Sequence, residues 1–167
     1  MSPPRRTKLD ILKSLPPRTL IQAKRKIMDL LSKRDHSEFE IREKLKRRTE
    51  TDVMNQALAW AHENNWIPAE EKMQNQVVQS MGLRKKGQNA INLKLKKMGL
   101  KPVKSDPEIE FENCLRALET KYKRDILENL KFLEFQKQKA KITRFLLGKG
   151  FNHSTIQNAT KNFFSLK

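Results

Sequence analysis

The side chains with the most chemistry to offer in this 167-residue chain are its 36 lysines and arginines. Twelve of them gather in three places. Lys44, Lys46, Arg47 and Arg48 form one group, Arg84, Lys85, Lys86, Lys94, Lys96 and Lys97 a second, and Arg144 and Lys149 a third. Ammonium and guanidinium groups donate hydrogen bonds and carry fixed positive charge, so groups of them bind phosphates and carboxylates. Against 19 Asp and Glu the formal net charge is +17, and the excess is spread along the chain rather than held in one tail. A field of that sign favours polyanions: nucleic acid, an acidic protein surface or an anionic membrane. These residues are therefore the expected contacts for a partner or for DNA. The competing reading is a scattered, solvated basic surface.

Other chemistry finds little support. His36, His62 and His153 have no ligand spacing between them and are expected to be structural. Cys114 stands alone, which excludes a disulfide framework and leaves a cysteine metal site without a second ligand; it is expected in the core. The loop Gly82-Leu-Arg-Lys-Lys-Gly87 lacks the Lys and hydroxyl that follow the second Gly of a phosphate-binding loop. Glu70 and Glu71, and Glu108, Glu110 and Glu112, sit at positions expected to be solvated helix caps. No catalytic, cofactor or metal-binding residue is expected, and no enzyme. No apolar run reaches the ~18 residues of a membrane span, and the first residues lack the apolar run of a secretory signal. A cytoplasmic protein is expected.

The elements that must carry the basic groups read as helices. In Arg34–Arg48, Ser37 and Glu40 have the spacing of a capping box. Ile41 and Leu45 share a face there, and Lys46, Arg47 and Arg48 stand where the helix dipole favours cations. Before it, Leu20, Ala23, Ile27, Leu30 and Leu31 follow the three-four spacing of an amphipathic helix; after it come Val53, Met54, Ala57, Leu58 and Ala61, stopped by Pro68. Thr49 and Asp52 offer weaker capping there. Further stripes are Met73, Val77 and Met81; Ile91 and Leu95; Ile109, Leu115 and Leu118, capped by Ser105 and Glu108; Ile126, Leu127, Leu130 and Leu133; Ile142, Phe145 and Leu146; and Ile156, Ala159, Phe163 and Phe164, capped by Ser154. Gly99 and Gly150 are placed to end helices in the left-handed conformation.

Ile41 and Leu45 are echoed by Ile91 and Leu95 and again by Ile142 and Leu146, at offsets of 50 and 51 residues. Helical content at such a period implies tandem units. The expected fold is all-α: three tandem three-helix repeats in an elongated, curved array, the second repeat degenerate. The expected divisions are a flexible, basic, Pro-rich arm at 1–19, with Pro3, Pro4, Pro16 and Pro17, then repeats at 20–68, 69–108 and 109–167. Stacked units would line up equivalent basic helix ends as a stripe suited to a phosphate backbone or an acidic groove. Trp60, Trp66, Phe39 and Phe151 can stack on bases or pack between helices; Phe39 alone points away from the Ile41–Leu45 face.

Three segments resemble the RecX family of recombinase regulators: RDHSEFEIREKLKRR its first repeat, GQNAINLKLKKMGL its second, and KITRFLLGKGFNHSTIQNA its third. With their order and spacing they span most of 20–164. The chain departs from the family where Pro68-Ala69-Glu70-Glu71-Lys72-Met73 stands in place of two acidic residues and an aromatic-Ala pair. It departs again after Gly99 and over Arg124–Lys141. The resemblance implies a regulator that binds a RecA-type recombinase filament along its groove. That regulator would inhibit or modulate the filament's recombination and ATPase activities, with direct affinity for single- or double-stranded DNA. A monomer without cofactors is expected. The alternative is a general nucleic-acid-binding helical module acting without a recombinase.

Overall fold

The computed structural model of the protein describes residues 16–122 and 132–165. The expected arm lies outside the described residues as far as residue 15. So do Ile126, Leu127, Leu130 and the side chain of Leu133. The described residues form eight α-helices and no strand: α1 (Leu20–Leu31), α2 (Glu38–Leu45), α3 (Thr51–Glu63), α4 (Glu70–Leu83), α5 (Gln88–Lys97), α6 (Pro107–Lys121), α7 (Phe132–Lys149) and α8 (His153–Ser165). The chain is all-α, as its sequence implies. It divides into two compact units. One holds the residues up to Met73 together with Met98–Leu100; the other holds Gln74–Lys97 and the residues from Lys101 onward.

In the first unit α1, α2 and α3 form a three-helix core of Ala23, Ile27, Ile41, Leu45, Met54, Ala57, Leu58 and Ala61. Burying Ile41 and Leu45 fully, as here, is worth about 1.5–3 kcal/mol for each side chain. Two capping boxes start helices of this trio. Thr19 Oγ1 accepts from the Gln22 N–H while Gln22 Oε1 accepts from Thr19. Ser37 Oγ accepts from the Glu40 N–H at 3.1 Å, and Glu40 Oε2 accepts from the Ser37 N–H at 3.2 Å. At α3 the cap position falls on Glu50, with no side-chain bond, rather than on Thr49 or Asp52. Helix α2 ends at Leu45, so Lys46, Arg47 and Arg48 continue past its last turn instead of lying in it.

In the second unit α6, α7 and α8 repeat the arrangement around Cys114, Ala117, Leu118, Ile142, Leu146, Phe151, Ile156, Ala159 and Phe163. Cys114 is a core residue, and burial, followed by the charge of Glu110, pushes its thiol up to about 12. The buried stripe of α6 is Glu110, Cys114, Ala117 and Leu118; of the expected Ile109, Leu115 and Leu118, Leu118 is buried and Leu115 packs against the core partly buried, but Ile109 is 57% exposed. The cap is Asp106, whose Oδ1 accepts from the Glu108 N–H at 2.8 Å, rather than Ser105. Pro107 decides this, because it fits the first helical position and keeps its predecessor extended. Likewise α8 is capped by Asn152, whose Oδ1 accepts from the Thr155 N–H, and Ser154 only donates to the same oxygen.

Between α5 and α6, residues 101–106 form no helix. Asn92 Oδ1 accepts from the Val103 N–H at 3.1 Å and Gln88 Nε2 donates to the Val103 carbonyl, so both backbone groups of Val103 are held by α5. Gln74 of α4 donates to the Lys101 carbonyl at 3.0 Å. Two helices and a pinned non-helical segment thus stand where a regular repeat has three helices.

One docking pattern recurs three times. The Arg18 N–H donates to the Arg48 carbonyl at 2.6 Å, Ser37 Oγ to the Met98 carbonyl, and the Gly87 N–H to the Lys149 carbonyl at 3.0 Å. Each acceptor is a carbonyl just past or at the end of α2, α5 or α7, where helices leave such groups without internal partners. The acceptors Arg48, Met98 and Lys149 carry the same spacing as the Ile-Leu echoes. The sequence repeat is therefore also a repeat of how helix ends are closed.

A lysine cluster as candidate binding site

The basic loop after α4 is built by the helix end itself. The Lys85 N–H donates to the Gly82 carbonyl at 2.8 Å and the Lys86 N–H to the Met81 carbonyl at 3.0 Å. That bond pair requires a left-handed residue between helix and loop. Lys85 supplies it at φ 53°, where glycine is the usual occupant. The same pair of bonds closes α7, with Gly150 left-handed at φ 91°. Lys85 Nζ then reaches Thr120 Oγ1 on α6 at 2.5 Å.

Lys149, at the end of α7, meets this loop. Its Nζ lies 3.5 Å from the Arg84 carbonyl, so it faces the negative end of α4. Burial, then the charges of Lys86, Lys85 and Lys121, push its pKa below the ordinary lysine value. Aromatic rings complete the cluster. Lys121 Nζ stands 3.9 Å and Lys149 Nζ 5.5 Å from the centre of the Phe145 ring, within cation–π range. Tyr122 meets Phe145 edge-on at 6.0 Å. Lys121 is exposed, and Lys85, Lys86 and Lys149 are half-buried. Ammonium groups held together against their mutual repulsion, with ring faces beside them, can bind an anionic surface.

The structure thus joins Lys85, Lys86 and Lys149 from two of the sequence groups, while Arg84 meets Lys149 only through its carbonyl and its side chain is exposed. It adds Lys121 and Tyr122, which the sequence did not single out, and Phe145, which the sequence marks only as part of an apolar stripe. Phe145 reads as a core residue beside Ile142 and Leu146, and Lys121 belongs to a helix far away in the chain, so no spacing signal links them. Lys94, Lys96 and Lys97 lie exposed on α5. Arg144 is exposed, its Nε 3.4 Å from the Ala140 carbonyl. None of these four is among the charges acting on Lys149. In the first unit Lys44, Lys46 and Arg47 are exposed, and Lys46 pairs with Glu43 at 2.6 Å. Arg48 is half-buried and donates to the Pro16 carbonyl at 3.1 Å.

Glu110, His36 and His62 make structural contacts. Glu110, expected as a solvated cap, is buried: its Oε1 accepts from the Gln88 N–H at 3.3 Å and its Oε2 from Asn152 Nδ2 at 3.2 Å, tying the starts of α5 and α8 together. His36 is buried with Nδ1 2.9 Å from the Arg34 carbonyl, which fixes the proton on Nδ1. His62 Nε2 lies 2.8 Å from Glu38 Oε2, and Arg42 joins the same carboxylate at 2.7 Å. Among the aromatics, Phe151 is in the core and Trp60 meets Trp66 edge-on at 4.7 Å. Phe39 packs over Gly99, which accounts for its direction away from the Ile41–Leu45 face. Among the described residues no helix is long and apolar enough to cross a membrane.

Two family models match. Residues 23–60 match the first three-helix domain of RecX and residues 108–160 its third, together more than half of the chain. The chain belongs to the RecX family. Its fold is also that of solved RecX structures. The crystal structure of RecX from Lactobacillus salivarius superposes with a TM-score of 0.70 at 17% identity, over 86% of this chain and 96% of that one. A second, the crystal structure of a regulatory protein RecX, gives a TM-score of 0.64 at 19% identity, over 85% of this chain and 73% of that one. No curated protein matches the chain. Within the family fold, the matched first and third domains are the two three-helix cores described above.

Proposed function

We propose that this RecX-family chain is a regulatory protein that binds a RecA-type recombinase filament and inhibits or modulates its recombination and ATPase activity, with direct affinity for DNA. It does so as a cytoplasmic monomer and by binding rather than catalysis. The observation that carries the reading is family membership joined to the convergence of Lys85, Lys86, Lys121 and Lys149 beside Phe145. A recombinase filament on DNA presents acidic protein and phosphate together, and closely set ammonium groups suit both. The exposed Lys44, Arg47, Lys94, Lys96, Lys97 and Arg144 extend the basic surface on each unit.

The alternative, a nucleic-acid-binding module acting without a recombinase, is favoured by the same lysines with ring faces beside them, since bases stack on aromatic rings. Comparing affinity for a recombinase filament with affinity for the same bare DNA separates the two. The proposal expects tighter binding to the filament. Equal binding to both would favour the alternative, and a steep loss of affinity with salt would then mark phosphate contacts.

A further inference from the structure

Arg18 and Arg48 meet at the start of the first unit. The Arg18 N–H donates to the Arg48 carbonyl at 2.6 Å, and Arg48 Nη2 donates to the Pro16 carbonyl at 3.1 Å, so the two residues are locked side by side. Yet Arg18 Nη1 and Arg48 Nε are both buried with no hydrogen-bond partner among the described residues. Thr49, the next residue, is 8% exposed, and its Oγ1 is likewise buried and unpartnered. A buried donor left unpaired destabilises the fold, and here three lie on two adjoining segments. Burial, and then the positive charge of Arg48, push Arg18 below the ordinary arginine pKa, so the pair is also electrostatically strained.

We propose that Arg18, Arg48 and Thr49 form a binding site for a phosphate oxyanion. Such an ion accepts hydrogen bonds on several oxygens at once, which matches two guanidinium donors and a hydroxyl. Its negative charge relieves the repulsion between the arginines. An apolar or cationic ligand would do neither. In the Ser37–Met98 and Gly87–Lys149 contacts, which close the ends of α5 and α7, neither partner is an arginine, so the paired arginines are particular to the end of α2. It stands apart from the recombinase reading, because the ion alone is the ligand.

The test is a titration of the full chain with inorganic phosphate at constant ionic strength, following the arginine Nε–H signals by NMR. The Arg18 and Arg48 signals are expected to shift saturably, while those of the exposed Arg116 and Arg144 drift as in sodium chloride. Arg48→Lys and Arg18→Lys are each expected to weaken the saturable shift about tenfold. The unsubstituted chain decides the matter if either variant fails to fold. A short oligothymidylate in a parallel titration identifies the source. Shifts of the same two signals point to a nucleic-acid phosphodiester, and shifts with inorganic phosphate alone point to a free phosphate; both sustain the site. A linear drift of Arg18 and Arg48 matching the chloride control, with both ligands, would overturn it.

Discussion

The side chain of Phe39 lies across Gly99, so that a Cβ added to Gly99 would run into the ring and its stem. Gly99 is also left-handed, at φ 69°. Gly99→Ala is therefore expected to cost stability twice. The backbone conformation alone accounts for about 1–2 kcal/mol, and the collision with Phe39 adds to it. In a Phe39→Ala background the second part should vanish and the first remain. Urea denaturation of the four proteins of this cycle measures the coupling; strict additivity would show that Phe39 does not rest on Gly99.

Lys85 carries a cost that glycine would not. Lys85→Gly and Lys85→Ala both remove the charge and the bond to Thr120, but only glycine relieves φ 53°. The glycine variant should be more stable than the alanine variant by about 1 kcal/mol. Both should bind DNA more weakly than the parent, and to the same extent.

Burial lowers the pKa of His36; the bond to the Arg34 carbonyl and the charge of Glu40 oppose the shift, and the charges of Arg34 and Lys44 add to it. Since the folded value lies below the unfolded one, the unfolded chain binds more protons in the window between them. Stability then falls as pH drops below about 6.5. Glu38 and Glu40 act lower. Burial raises their pKa values, but hydrogen bonds from Arg42 and His62, and from Arg34 and the Ser37 N–H, outweigh it and hold both below the ordinary carboxylate range. Their contribution is present above about pH 4.3 and is lost as pH falls through the folded values. His36→Asn should flatten the step between pH 7.5 and 5.5 and leave the acid step in place. Equal slopes in variant and parent over that range would rule out His36 as the cause.

Glu110 accepts from two elements at once, Gln88 and Asn152. Glu110→Ala leaves the Gln88 N–H and the Asn152 amide without that acceptor and should cost about 1–3 kcal/mol. Chemical denaturation checks this. A variant as stable as the parent would return Glu110 to the solvated role its sequence position suggests.

Much of this was legible in the chain because local rules and tertiary packing agree. Ser37 and Glu40 make their capping box, Ile41 and Leu45 face the core, and Gly99 and Gly150 take left-handed turns. The spacing of the Ile-Leu echoes reappears in the carbonyls of Arg48, Met98 and Lys149. What was not legible depends on contacts between distant segments. Glu110 looks polar in sequence, but it occupies the buried stripe of α6 because backbone and amide donors from α5 and α8 meet it there. Phe39 departs from its own helix's apolar face because it serves a turn 60 residues away. Lys121 and Phe145 enter the lysine cluster through the packing of α6 on α7, which no periodicity records.

The role proposed for the lysine cluster is to act against a recombinase. The most direct measurement is the DNA-dependent ATPase rate of a RecA-type recombinase with this protein in several-fold excess, beside a Lys85→Glu, Lys149→Glu variant of unchanged helix content. The parent is expected to change the rate, by lowering it if the protein inhibits, and the variant is expected to leave it near that of the recombinase alone. A rate that the parent does not alter, or that the variant alters equally, would contradict the account.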